Sequence, residues 1–170
     1  MSSLGFGPPP QGHGMYPALS TVTPRQSGVL PPGIYDATIK DISQYQYFPR
    51  TQQRLALENI IREVSKYIWG EDPNAEIFIN GSFATTKPEP GDVDMYVRSN
   101  APIWNNNYDT FRDWIANTSD DLEKAIADGQ IDPWINHQQP ELDDIFVDYF
   151  QKSRAGEIKG IIRLIQQLSY

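Results

Sequence analysis

The sequence is bounded first by what it lacks. It contains no cysteine, which excludes disulfides, thiolate metal ligands and thiol catalysis. Its two histidines, His13 and His137, are too far apart to suggest a ligand pair or a catalytic couple. No apolar run approaches the roughly 20 residues that span a bilayer, and the first residues do not resemble a signal peptide. We therefore expect a soluble, cytoplasmic protein with no membrane partner.

Basic residues are also scarce. The 170 residues include 14 Lys and Arg against 22 Asp and Glu, which gives a formal net charge of −8. Such a chain lacks the broad basic surface that neutralises the phosphates of DNA or RNA. Nucleic acid is therefore disfavoured, though not excluded, as a partner.

The chain divides into a polar arm and one domain. Residues 1–29 are rich in Gly, Pro, Ser and Gln and have no apolar periodicity, which predicts a flexible N-terminal arm. Residues 30–170 are long enough for a single domain with its own core. The arm is either a leader without a partner or a binding segment, and the sequence leaves both readings open.

Apolar spacing within the domain predicts helices and short strands. The strongest helix covers residues 50–69, where apolar residues stripe one face: Leu57, Ile60, Ile61, Val64 and Ile68. Helices are also expected over residues 108–117 and after the capping residue Ser119. Strands are expected at residues 76–79, 93–97 and 144–150, and residues 158–165 form a strand or the start of a helix. The fold class is therefore α/β (α+β), a short mixed and antiparallel sheet backed by helices.

The segment between residues 79 and 95 carries the most chemical information. Gly81 allows a backbone to approach a triphosphate closely, and Ser82 offers a hydroxyl and an amide to phosphate oxygens, particularly if a helix begins there. Asp92 and Asp94 are two residues apart, so on a strand both carboxylates project to one face and can share a divalent cation. Taken alone, Asp-Val-Asp is more typical of an exposed, solvated turn than of a metal site.

This combination resembles the nucleotidyltransferase superfamily of DNA polymerase beta and the minimal nucleotidyltransferases, whose hallmark is Gly-Ser followed by Asp-x-Asp on the adjacent strand. A narrower resemblance is to a group of small uncharacterised bacterial and phage proteins. It rests on Gly81-Ser82-Phe83, Thr85 or Thr86, Lys87-Pro88, Pro90-Gly91-Asp92 and Asp94. The opening Leu30-Pro31-Pro32-Gly33-Ile34 and the closing Tyr149-Phe150-Gln151, Arg154, Gly156 and Lys159-Gly160-Ile161-Ile162 extend it over most of residues 30 to 165.

The resemblance implies a nucleotidyltransferase fold and site. Asp92 and Asp94 would be catalytic metal ligands, with Asp148 as the third carboxylate and Asp144 as the runner-up. Gly81, Ser82 and Lys87 would contact the nucleotide, and Arg98 is a further cation beside the motif. Two Mg²⁺ ions would serve the reaction, one on the nucleotide phosphates and one on the acceptor hydroxyl.

The function implied is transfer of a nucleoside monophosphate from a nucleoside triphosphate to a hydroxyl, on a protein rather than on RNA. The superfamily's small members suggest a toxin–antitoxin or phage-defence setting. The alternative is an inactive binding or assembly protein with the same fold, so the chain leans towards an enzyme without being fixed as one. Its short length leaves substrate specificity to a partner protein or a homo-oligomer.

Overall fold

The structure is a computed structural model that describes residues 16–137 and 156–167. Its strands and helices follow one another in the order β1 (Ile34–Ala37), α1 (Ile39–Gln44), α2 (Gln52–Glu71), β2 (Glu76–Asn80), β3 (Val93–Arg98), α3 (Tyr108–Ala116), α4 (Asp120–Ala127), β4 (Ile131–Asn136) and β5 (Ile161–Leu164). Short 3₁₀ turns cover Leu19–Thr21, Ser82–Ala84 and Pro102–Trp104.

The strands form one mixed sheet in the order β1-β5-β2-β3-β4. β2 lies antiparallel to both of its neighbours, β5 and β3, whereas the β1–β5 and β3–β4 pairs are parallel. The N-terminal ends of the other four strands therefore meet the C-terminal end of β2 at a single edge of the sheet. The predicted fold class, a short mixed sheet backed by helices, is confirmed.

Helix α2 provides the main cover of one sheet face. Its N-cap is Thr51, whose side chain accepts a hydrogen bond from the Arg54 amide. The apolar stripe predicted from sequence is buried, with Leu57, Ile61 and Val64 fully inaccessible to solvent. The helix continues to Glu71, two residues beyond the predicted end at residue 69. No helix within the described residues is long and apolar enough to cross a membrane.

Strand alternation separates two apolar clusters on opposite faces of the sheet. On the helix-covered face, alternate residues of β2 and β3 such as Ile79 and Met95 join the large core. On the other face, a second cluster contains Tyr16, Ile34, Phe78, Tyr96 and Ile161. Arg98, Arg163, Asp36 and Glu76 lie among these residues, so this second face carries charge as well as apolar surface.

Residues 16–29, which we predicted to belong to a flexible arm, pack against the domain. Leu19 is buried in the main core, and Tyr16 is buried in the second cluster. The Asp36 amide donates to the Pro17 carbonyl at 2.8 Å, which ties this segment to β1. The ordered chain thus begins before residue 30, because two large apolar side chains here find buried positions.

Other predictions have mixed outcomes. Both later helices are confirmed as α3 and α4, the latter capped by Ser119, and β5 settles the strand reading of residues 158–165. The strand predicted at residues 144–150 lies outside the described residues. Helix α1 and strand β4 were not predicted; α1 begins with a capping box between Thr38 and Asp41.

A buried ion network ties the second face of the sheet together. The Arg163 guanidinium binds Asp36 through two nitrogens, at 2.8 and 3.0 Å, and donates to Glu76 at 3.2 Å. Glu76 also pairs with Arg98 at 3.3 Å. Hydrogen bonding to Asp36 and the nearby carboxylates raise the pKa of Arg163 against the opposing effect of its burial. Four strands, β1, β5, β2 and β3, are thereby cross-linked by charge.

We expect Arg163→Met to lower the free energy of unfolding by about 3–5 kcal/mol, because it leaves the largely buried Asp36 carboxylate without its cation and leaves Glu76 with Arg98 alone. The matched control is Arg25→Met, which breaks an exposed pair with Glu157 and should lower it by less than about 1 kcal/mol. Urea denaturation of both variants measures the difference. Equal losses in the two variants would show that the buried network adds nothing to stability.

Candidate functional site

Gly81 and Ser82 form the turn at the C-terminal end of β2. Gly81 has φ of 82°, a conformation that side chains with a Cβ rarely adopt, and Ser82 starts a 3₁₀ turn. A Cβ on Gly81 would stand 3.1 Å from the Asp94 amide nitrogen and 3.3 Å from Asp94 Oδ2. Glycine is therefore required at position 81 for two reasons: the positive φ angle and the close approach of Asp94 on β3.

Asp92 and Asp94 lie beside this turn, as predicted. Asp94 is paired with Asn80 in the β2–β3 ladder, and Asp92 immediately precedes β3. The Ser82 hydroxyl donates to Asp92 Oδ1 at 3.2 Å. Both carboxylates are half-buried, while the intervening Val93 is buried in the core, so the two acids share one face of the strand. The solvated-turn reading does not describe them.

The loop that joins β2 to β3 is held by a buried arginine on α2. The Arg54 guanidinium donates to the carbonyls of Phe83, Thr85 and Lys87 at 2.5, 3.1 and 2.8 Å. It also lies over the rings of Phe48 and Phe83. Burial lowers the pKa of Arg54 to about 10, so it remains a cation at neutral pH. Three carbonyls fixed by one rigid group give the turn after Gly81 a defined shape.

Strand β4 brings a further carboxylate to the same edge. Asp132 is in register with Asp94 in the parallel β3–β4 pair, so their Cα atoms are about 4.8 Å apart, the usual spacing of neighbouring strands. Asp132 Oδ1 accepts from the Tyr108 hydroxyl at 2.8 Å, and Oδ2 accepts from Trp134 Nε1 at 3.1 Å. Burial, followed by the hydrogen bond to Asp132, raises the pKa of Tyr108, which keeps the phenol a donor.

Sequence reasoning missed Asp132 because an Asp-Pro pair is typical of a turn. Pro133 is tolerated because β4 is the outermost strand on one side of the described sheet, so its missing N–H need not pair with a further strand. The sequence does contain one indication of a strand, because Asp132 lies between the apolar Ile131 and Pro133 shortly after the Gly129 turn. In the structure both neighbours are buried. An acid between two inward-facing residues is the pattern of a strand that presents one carboxylate on the opposite face.

A lysine completes the charged groups at this edge. Lys159 is half-buried just before β5. Burial lowers the pKa of its ammonium, and the charges of Asp94, Asp92 and Glu157 oppose that effect. The sequence offered Lys159 only as part of the family resemblance. Its link to the Gly-Ser and Asp-x-Asp motif depends on the pairing of β5 with β2, which the sequence does not reveal.

The remaining predicted site residues have different outcomes. Asp148 and the runner-up Asp144 lie outside the described residues. Lys87 is exposed in the loop, and its carbonyl is one of the three acceptors of Arg54. Arg98 lies at the opposite end of β3 from Asp94 and pairs with Glu76, so its predicted role as a cation beside the motif is wrong.

The chemistry of the acidic edge suits a hard divalent cation in part. Asp92 and Asp94 supply carboxylate oxygens and Ser82 supplies a hydroxyl oxygen, which are ligand types that Mg²⁺ accepts. Within residues 16–137 and 156–167, however, no three acidic or histidine side chains converge closely enough to hold a metal ion. The Asp132 oxygens are directed to Tyr108 and Trp134 instead. The donors fit one ion on the Asp92–Asp94 pair, completed by water or phosphate.

Comparison with known proteins places the chain in a family. The sequence model of a family of unknown function, DUF6932, matches residues 22–165. No curated protein and no solved structure matches the chain significantly. The description of the family names no activity, so function has to be inferred from the chemistry of the site. Because the match spans most of the sequence, this chain belongs to the family of unknown function DUF6932.

Proposed function

We propose that the protein is a metal-dependent nucleotidyltransferase that moves a nucleoside monophosphate from a nucleoside triphosphate to a hydroxyl acceptor. One observation carries the proposal: the Gly81–Ser82 turn lies directly against Asp92 and Asp94. A turn that can receive phosphate beside carboxylates that can hold a cation is what a metal–nucleotide complex requires. Asp132, on the next strand, supplies a third carboxylate.

The turn and the two aspartates would bind the nucleotide. Gly81 has no side chain to keep phosphate oxygens from its backbone, and Ser82 would direct its amide and hydroxyl at them. Asp92 and Asp94 would hold Mg²⁺, which neutralises phosphate charge and lowers the pKa of an acceptor hydroxyl when bound. Arg54 would support this geometry indirectly, since it fixes the carbonyls of the loop that follows the turn.

Asp132 would act on the acceptor side. The acceptor hydroxyl oxygen attacks the α-phosphorus in line, the bond to the pyrophosphate group breaks, and the hydroxyl proton passes to a carboxylate. Asp132 suits this task because neutral donors, Tyr108 and Trp134, each bind one of its oxygens, which fixes the carboxylate without neutralising it. The exposed Trp134 ring beside it offers surface to an incoming acceptor.

The acceptor that fits best is a hydroxyl on a protein. The net charge of −8 disfavours a nucleic-acid backbone as the second substrate. A protein acceptor in the cytoplasm agrees with the toxin–antitoxin or phage-defence setting expected from the resemblance. A partner chain or a second copy would then supply contacts that a chain of this size lacks.

A second candidate function is an inactive binding or assembly protein with the same fold. The observation that favours it is the lack of a converged three-ligand metal group within the described residues. In that case the nucleotide would bind without turnover, or a partner would occupy the acidic edge. Titration and turnover measurements separate the two functions.

We expect Asp92→Asn and Asp94→Asn each to weaken Mg²⁺-dependent binding of a nonhydrolysable nucleoside triphosphate by at least about tenfold, because each removes a charged metal ligand. Calorimetric titration with each of the four nucleotides provides the measurement. Asp128→Asn, an exposed acid at the end of α4, is the matched control and should bind as the wild type does. Failure of the folded wild type to bind any of the four would exclude the transferase.

Asp132→Asn should separate binding from turnover. We expect it to slow pyrophosphate release by at least about 100-fold, since it removes a proton acceptor, with nucleotide affinity changed little. Pyrophosphate release is measured with water or a trial hydroxyl compound as acceptor. Wild-type binding without any release, under every acceptor tried, would favour the binding protein. A parallel loss of affinity in Asp132→Asn would assign Asp132 to nucleotide or metal binding instead.

Gly81→Ala should damage both stability and the site. The positive φ and the contact with Asp94 predict a loss of at least about 1 kcal/mol in the free energy of unfolding. They also predict weaker nucleotide binding, since the methyl group displaces the Asp94 carboxylate. Gly91→Ala, where an added Cβ meets no atom within 4 Å, is the control and should change stability by less than about 0.5 kcal/mol. Equal nucleotide affinity in the two variants would remove Gly81 from the site.

A further inference from the structure

Lys159 lies two residues before β5, at the same two-residue spacing as Ile161 and Arg163. Those two strand residues contact the second apolar cluster rather than the helix-covered core. Asp94 lies on this same face of β3, opposite to Val93 and Met95 in the core. The lysine and the aspartate are therefore separated only by β2.

The strand between them ends in a glycine. The antiparallel register pairs Ile79 with Ile162 and Phe78 with Arg163. Lys159 precedes β5 by two residues, and β5 begins to pair with β2 at Ile162 and Ile79, so Lys159 lies near the end of β2 that carries Gly81 and Ser82. Gly81, which has no side chain, lies at that end of β2 in close contact with Asp94, so β2 places no side chain between β5 and Asp94 at this position.

The backbone around Lys159 is fixed on both sides. The Gly160 amide donates to the Leu30 carbonyl at 2.9 Å, and a Cβ on Gly160 would stand 2.3 Å from the Pro31 carbonyl oxygen. On the other side, Arg25 donates to Glu157 and to the Ile158 carbonyl. The position of Lys159 is therefore set by the fold rather than by chance placement of a surface side chain.

We propose that Lys159 is an internal counter-ion of the acidic pair, which neutralises Asp92 and Asp94 before a metal binds and contacts the β- and γ-phosphates once the metal–nucleotide complex arrives. This inference rests on the proposed function. A cation so placed competes with a metal ion for the carboxylates, because both are attracted by the same negative charge. It also offers a positive charge to the triphosphate beside the Gly81–Ser82 turn. One lysine thus disfavours the bare metal and favours the metal–nucleotide complex.

The test is Lys159→Met, which keeps the apolar stem and removes the charge. Binding of Mn²⁺ alone should tighten by about threefold to tenfold, and binding of a nonhydrolysable ATP analogue in saturating Mn²⁺ should weaken by at least about tenfold. Free Mn²⁺ is followed by electron paramagnetic resonance and nucleotide binding by calorimetry. Lys159→Arg should restore both values towards the wild type. Lys40→Met, an exposed lysine on α1, is the matched control and should change neither.

Opposite shifts identify the counter-ion role, because damage to the fold would weaken both kinds of binding together. Circular dichroism melting of each variant verifies that it is folded. Weaker binding of both ligands by folded Lys159→Met, or no change in either, overturns the proposal. Absence of nucleotide binding in the wild type would defeat the proposed function. Tighter Mn²⁺ binding in the variant would then still support the counter-ion, and its absence would overturn that as well.

Discussion

Electrostatic repulsion among Asp92, Asp94 and Asp132 constrains the structure at the end of the sheet where these residues lie. Asp94 and Asp132 are in register on neighbouring strands, and Asp92 stands two residues before Asp94. Like charges opposite each other in a sheet destabilise it, so each carboxylate needs a compensating group. The compensation comes from three directions: the Ser82 hydroxyl for Asp92, Tyr108 and Trp134 for Asp132, and the Lys159 charge for the pair.

The fold divides its charges between two places with different consequences. The network of Arg163 with Asp36 and Glu76 is closed, since opposite charges face each other at hydrogen-bond distance within the sheet. The acidic edge is open, because its aspartates are half-buried and outnumber the lysine beside them. A closed network specifies strand pairing, whereas an excess of one charge at a partly exposed edge favours a cation from solution. This contrast distinguishes the charged side chains that stabilise the sheet from those of the candidate site.

Local sequence patterns predicted the parts of the fold that local patterns control. The stripe that includes Leu57 and Ile61 fixes α2, and the Gly81–Ser82 turn between two apolar strands places Asp92 and Asp94 beside it. Those residues are close in sequence, so their spacing nearly determines their geometry. Asp132 and Lys159 could not be found in this way, because 38 and 65 residues separate them from Asp94 along the printed sequence and only the β3–β4 and β5–β2 pairings bring them near. Residues 16–29 likewise pack against the domain because Tyr16 and Leu19 occupy buried positions, which the composition of this segment does not reveal.

The charge balance at the edge also constrains how any nucleotide could bind. A triphosphate carries several negative charges. The three carboxylates outnumber the Lys159 ammonium and the Arg112 guanidinium behind Tyr108, so the edge is negative before the triphosphate arrives. Direct association would therefore be repulsive, and the repulsion is strengthened by partial burial, where the effective dielectric constant is lower than in water. A divalent cation between the Asp92–Asp94 pair and the phosphates reverses the sign of that interaction. With the lysine added, the attraction depends on metal and phosphate arriving together, so neither ligand alone should hold the site for long. Under the proposed function, nucleotide binding at this edge would therefore depend on a metal ion, whichever hydroxyl is the acceptor.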